Sequence, residues 1–132
     1  MVHALETIHD LLKPNGILID LRPKGIPAGF WGHRGSVSKP LGQIDETDAF
    51  IEYRQAALAM QQAVDKNLFR MQASGEYDFI IHAHSFHELK AYLTIEWTDA
   101  IIRPEIESAA TEMNAEKISL HDFIHIGIMS RL

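Results

Sequence analysis

Apolar residues first recur at helical spacing. Ala4, Leu5, Ile8, Leu11 and Leu12 fall on one side of residues 3–13, with His9, Asp10 and Lys13 opposite, which predicts a short amphipathic helix. Pro14, Asn15 and Gly16 end it. The pattern then changes to a nearly continuous apolar run, Ile17-Leu18-Ile19-Asp20-Leu21, which reads as a strand buried on both faces. Between 22 and 45 no period holds. Pro23, Gly25, Pro27, Gly29, Gly32, Gly35, Pro40 and Gly42 punctuate a long loop with room for a short strand or hairpin, and such loops are uncommon unless they bind something. Helical spacing returns over 47–71 in Phe50, Tyr53, Ala57, Met60, Val64, Leu68 and Met71, with Asp45 or Thr47 as N-cap and Gly75 as the stop. Tyr53, Met60 and Met71 in that stripe read as core. Residues 77–84 predict a strand rich in aromatic and β-branched side chains. Ser85 and Glu88 have the spacing of a capping box that opens a helix ending near Trp97, and Pro104 begins another over 105–115. Residues 118–129 predict a last strand, with Leu120, Ile124, Ile126 and Ile128 on one face and His121, Phe123, His125 and Met129 on the other.

Helices alternating with strands and no internal repeat define an α/β protein. Three strands are few for four helices and leave an edge in need of a partner. The 132 residues, 46% hydrophobic and 23% charged, suit one soluble globular domain. The absence of cysteine excludes a thiolate nucleophile, a disulfide framework and cysteine-ligated metal. Twelve Lys and Arg against eighteen Asp and Glu give a net charge of −6, which argues against nucleic acid and anionic lipid as partners. No apolar run approaches the roughly 20 residues that span a bilayer, and the N-terminus carries neither the basic nor the apolar region of a signal peptide. A cytoplasmic protein without membrane attachment is expected.

Residues 3–23 resemble the segment of class I S-adenosylmethionine-dependent methyltransferases that enters the fifth strand of their sheet. The marker there is a helix ending Leu-Lys-Pro-Gly-Gly before an apolar strand, matched here by Leu12-Lys13-Pro14-Asn15-Gly16. The resemblance implies a partial Rossmann-like sheet with flanking helices. In it residues 17–21, 77–84 and 118–129 stand for strands five, six and seven, the last antiparallel to its neighbours, and 47–71 is the helix between the first two. It also implies a single C-terminal half-domain over 1–132, truncated with respect to the Gly-rich turn and acidic strand end that hold S-adenosylmethionine in the family. Gly29, Gly32 and Gly35 do not replace that turn, because they lie in a loop rather than between a strand and a helix. A methyltransferase-like protein with no cofactor and no catalysis as an isolated chain is therefore expected. Its sheet edge near 17–21 would pair with a second copy in a homodimer. The alternative partner is a separate N-terminal half, in which case the completed methyltransferase takes S-adenosylmethionine. The first helix opens without a capping signal, as in a chain cut from something longer.

Candidate chemistry gathers in two places. The resemblance puts the segment after strand five near the acceptor substrate, which makes Phe30, Trp31, His33 and Arg34 a candidate substrate-binding loop; an apolar flap tucked over the core explains Phe30 and Trp31 equally well. Five of the eight histidines, His82, His84, His87, His121 and His125, fall on or beside the last two strands. If those strands pair with their faces in agreement, His82, His84, His121 and His125 converge as a metal set, so a His-rich metal-binding protein is the third functional class. Solvated histidines on a sheet face are the simpler reading. His82-x-His84-x-x-x-Glu88 also matches the start of the cupin metal pattern, but cupins are all-β and the capping box accounts for Glu88. Asp20 inside its apolar run needs a partner, Arg22 or a loop amide. No serine stands on a nucleophile elbow, and no residue is assigned a catalytic role.

Overall fold

A computed structural model describes residues 1–45 and 47–132, without the side chains of Thr47 and Ala49. The reading of Thr47 as a helix cap therefore lies outside the described residues. In chain order the elements are α1 (Val2–Leu11), β1 (Ile17–Pro23), β2 (Gly29–Arg34), β3 (Val37–Gln43), α2 (Thr47–Asp65), β4 (Phe69–Ala83), α3 (Phe86–Glu96), α4 (Pro104–Glu112) and β5 (Lys117–Arg131). The α/β class stands, with five strands in an antiparallel sheet among the described residues in place of the three expected. No described helix is long and apolar enough to cross a membrane. The chain forms two compact units, one of Met1–Gly25, Asp48–Tyr77 and Phe123–Leu132, the other of Ile26–Thr47 and Asp78–Asp122.

In the first unit α1 ends in a turn that only certain residues can make. Asn15 adopts φ 62°, and the amide of Gly16 donates to the carbonyl of Lys13 at 2.8 Å. A Cβ at position 16 would stand 2.8 Å from that same oxygen, which is why glycine follows. Leu5 of α1 then meets Ala59 and Ala63 of α2, Phe69 of β4 and Met129 of β5 in a small core. Leu11, expected on the apolar side of α1, is exposed.

β1 pairs antiparallel with β5, Ile17 opposite Ser130 through Pro23 opposite Ile124. The expectation that this run is buried on both faces is corrected. Leu18 packs against the core, whereas Ile17, Ile19 and Leu21 are 53%, 61% and 58% exposed, and among the described residues β1 pairs with β5 alone. A continuous apolar sequence does not reveal which of its alternating faces is covered.

The helix expected over 47–71 is also corrected, because α2 stops at Asp65. Asn67 takes φ 58°, and the amide of Leu68 bonds back to the carbonyl of Ala63 at 3.0 Å, a left-handed stop that satisfies the terminal carbonyls. β4 therefore begins at Phe69, not 77, and Gly75 lies inside a strand instead of ending a helix. Arg70, Met71, Gln72 and Ala73 are good helix formers by themselves. Pairing with β5 overrides that preference, and the Gln72 amide donates to the Ser130 hydroxyl across the two strands at 2.6 Å. Met71, expected in the core, is consequently exposed on β4, while Met60 packs against the core and Tyr53 is half-buried.

In the second unit the long loop is a hairpin. β2 and β3 pair antiparallel around Gly35, whose φ of 56° the turn requires, and β2 pairs with β5 from Gly29 opposite His121 to His33 opposite Lys117. Phe30, Ile118 and Leu120 pack with Phe86, Leu89 and Leu93 of α3 and Ile106 and Ala110 of α4. The Ser85 cap forms, its hydroxyl accepting from the Glu88 amide at 3.1 Å, while the Glu88 carboxylate reaches one residue beyond the cap and accepts from the amide of His84 at 2.8 Å, not from that of Ser85. Pro104 opens α4, and Asn114, at φ 52°, follows its end. Ile118 and Leu120 of β5 pack in the second unit's core, and Met129 packs in the first's.

Gly42 sits at φ 144° where β3 passes α4, and a Cβ there would lie 2.9 Å from Cγ1 of the buried Ile106. Gly42→Ala is expected to lower the unfolding free energy by about 1–3 kcal/mol in urea titration. An unchanged midpoint would mean that α4 shifts at no cost. Ser85→Ala, which leaves the Glu88 amide without its acceptor, is expected to cost about 1 kcal/mol in the same assay.

Candidate functional site

Alternation along β2, β3 and β5 brings a set of polar side chains together in the second unit, away from Phe30, Ile118 and Leu120. Trp31 lies opposite Ser119 in the ladder, and His33 lies opposite Ser38. His33 Nδ1 is 2.8 Å from the Ser38 hydroxyl and its Nε2 is 2.6 Å from the Ser119 hydroxyl. Ser119 Oγ is in turn 2.9 Å from His121 Nε2, so one hydroxyl bridges two imidazoles. The Trp31 ring lies beside His121, centroids 5.9 Å apart and planes inclined by 44°.

Proton counting constrains this chain. Ser119 has 0% exposure and a single hydroxyl hydrogen, so it donates to one imidazole and accepts from the other. With both rings neutral every group is satisfied in one direction, from Ser38 through His33 and Ser119 to His121, or in the reverse. If both Nε2 atoms carry protons, both donate to Ser119, and its own hydrogen has no acceptor among them. Burial holds the His121 pKa below the ordinary histidine value of 6.5, with the nearby His33 and His82 acting in the same direction and Asp78 opposing them. The arrangement can relay a proton along its length and ties the hairpin to β5. Because Ser119 has no accessible surface, its hydroxyl serves the two rings and not an incoming substrate.

The sequence-derived candidates separate accordingly. Phe30 is wholly buried in the core, Trp31 and His33 belong to the polar cluster, and Arg34 is exposed at the hairpin end, beside a cavity of about 460 Å³ that Lys39 and Glu116 also line. His82 and His121 are close enough to influence one another. His84 follows β4 and, with His82 and Lys117, lines a cavity of about 310 Å³; His87 is exposed on α3. His125 belongs to the first unit, where its Nε2 lies 3.8 Å from Asp20. Among the described residues no three His, Asp or Glu side chains are grouped so as to hold a metal ion.

Asp20 has the partner its burial demands, since Arg22 Nε donates to both carboxylate oxygens, at 3.2 and 2.9 Å. Sequence reasoning missed Ser38, Ser119 and Asp78. The two-residue spacing of Ser119 and His121 was a readable sign that they share a strand face, whereas Ser38 and Asp78 come from other strands. Comparison with known proteins finds no matching family model, no matching curated protein and no matching solved structure.

The lowered His121 pKa has a definite sign in stability. The unfolded chain binds the proton first as pH falls through about 6.5, so stability is lost from there downward until the folded protein also takes it up. Thermal melts between about pH 8 and pH 5 are expected to fall more steeply for the wild type than for His121→Gln. Parallel curves for the two proteins would remove His121 from the acid sensitivity.

Proposed function

We propose that this chain is a methyltransferase-like C-terminal half-domain that acts by association through the open edge of β1 and does not carry out catalysis by itself. The observation that carries the reading is the edge. Among the described residues β1 has no pairing partner on the side away from β5, and the same strand directs Ile17, Ile19 and Leu21 outward. Natural edge strands are usually protected by charge, by proline or by a bulge. Here Pro23 stands only at the strand's end, and the two charges, Asp20 and Arg22, bond to each other.

Support for the methyltransferase-like character is the Leu12-Lys13-Pro14-Asn15-Gly16 turn entering β1, the order of the helices and strands after it, and the antiparallel placement of β5 against β1. The β2–β3 hairpin is an addition to that pattern. In this reading a Gly-rich half supplied by another chain would bring S-adenosylmethionine, and Trp31 and His33 would lie in the segment nearest the acceptor. A cytoplasmic setting belongs to the same reading.

Two measurements test it together. Ile19→Lys is expected to keep its far-UV circular dichroism and, compared with the wild type at concentrations where both are monomeric, to change stability by no more than about 0.5 kcal/mol, as at an exposed position. Calorimetric titration of these 132 residues with S-adenosylmethionine is expected to show no saturable heat. Unfolding of the lysine variant would place Ile19 inside a core and sink the edge reading, and saturable cofactor binding would make the chain a methyltransferase in its own right.

A further inference from the structure

The partner that β1 fits can be argued from its own residues, an inference that rests on the edge-association reading. Side chains directly opposite in an antiparallel ladder point to the same face. If β1 pairs with its own copy, the exposed row stays continuous only in registers that set odd residues opposite odd. Four symmetric registers do so with most of the strand engaged, centred on Leu18, Ile19, Asp20 or Leu21.

Three of these carry a defect. Centring on Asp20 sets carboxylate opposite carboxylate. Centring on Leu21 sets Ile19 opposite Pro23, which has no amide hydrogen for the ladder. Centring on Leu18 sets Leu21 opposite Asn15, which sits at φ 62° in the turn before the strand. Centring on Ile19 has none of these defects. Ile17 then faces Leu21, Ile19 faces Ile19, and Asp20 faces Leu18, so all six outward apolar side chains meet one another and no charge meets its like. The in-chain pairing of Asp20 with Arg22 also leaves the edge with no net charge that would call for an oppositely charged strand.

We propose that β1 pairs antiparallel with β1 of a second copy about a two-fold axis at Ile19, joining the two exposed Ile17-Ile19-Leu21 rows into one dimer interface. Such an isologous contact closes on itself, leaving no further β1 edge for growth. Ile126 and Ile128, opposite Leu21 and Ile19 in the ladder, extend the same apolar face behind the contact.

The chain contains no cysteine, so introduced thiols report position without background. Directly opposed antiparallel residues have Cα atoms about 4.5–5.5 Å apart, inside the roughly 4.4–6.8 Å that a disulfide spans. The experiment is sedimentation equilibrium of the wild-type chain over a concentration series, with copper-phenanthroline oxidation of Ile19→Cys, Ile17→Cys and Leu21→Cys read on non-reducing gels. A concentration-dependent dimer is expected, with Ile19→Cys cross-linking about tenfold faster than either other variant alone. An equimolar mixture of Ile17→Cys and Leu21→Cys is expected to regain the fast rate. A wild-type dimer in which position 19 couples no faster than 17 or 21 overturns this register and leaves the edge-association reading standing. A wild type that stays monomeric, with no coupling at position 19, overturns the second copy as partner. Dimerisation that persists undiminished in Ile19→Lys places association elsewhere and overturns the edge-association reading itself.

Discussion

Backbone hydrogen bonding along β5 is the constraint on which the remaining elements depend, because three other strands satisfy their amides and carbonyls on this one. Residues 124–130 serve β1, residues 117–121 serve β2, and β4 pairs with the same strand. A backbone group left unpaired away from water costs as much as a lost hydrogen bond, so the ladder decides where neighbouring segments run. It holds residues 69–76 extended despite their helical composition, and it converts a Gly- and Pro-rich stretch into one arm of a sheet. Each unit then covers its part of β5 with its own helices, Leu5, Ala59 and Ala63 in one and Phe86, Leu89, Leu93 and Ile106 in the other.

The same ladder creates the polar cluster. Alternation on β5 sends Ile118 and Leu120 into the core and leaves Ser119 and His121 to meet Trp31 and His33 from β2 and Ser38 from β3. A single hydrogen bond of this kind contributes only about 0.5–1.5 kcal/mol net. What distinguishes the set is that a fully buried hydroxyl with one hydrogen stands between two titratable rings. The protonation of His121 therefore bears on how the hairpin is held, because burial already disfavours charge on that ring.

The edge of β1 and the polar cluster are opposite solutions to the same problem. In the cluster, polar groups that burial would penalise find one another. At the edge, apolar groups remain outward and exposed among the described residues, and the turn before the strand and Pro23 at its end limit the ladder to a few residues. Those limits make the short segment self-complementary in one register, which links a local sequence feature to the assembly proposed for the protein.

The sequence by itself determined whatever depends on neighbours along the chain. The first helix and its Pro14-Asn15-Gly16 turn, the Ser85–Glu88 cap, the Pro104 start of a helix and the α/β class were all legible, because each rests on contacts within a few residues. The need of Asp20 for a partner was legible too, and Arg22, two residues away on the same face, supplies it. Tertiary structure decided the rest. The helical spacing of Leu68 and Met71 yielded to a strand, since the Asn67 stop and the pairing with β5 outweigh a weak intrinsic preference. The hairpin at Gly35 and the exposure of Ile17, Ile19 and Leu21 depend on which segments lie alongside. The Ser38–His33–Ser119–His121 chain bonds His33 to Ser119, 86 positions away, a separation that no local pattern encodes.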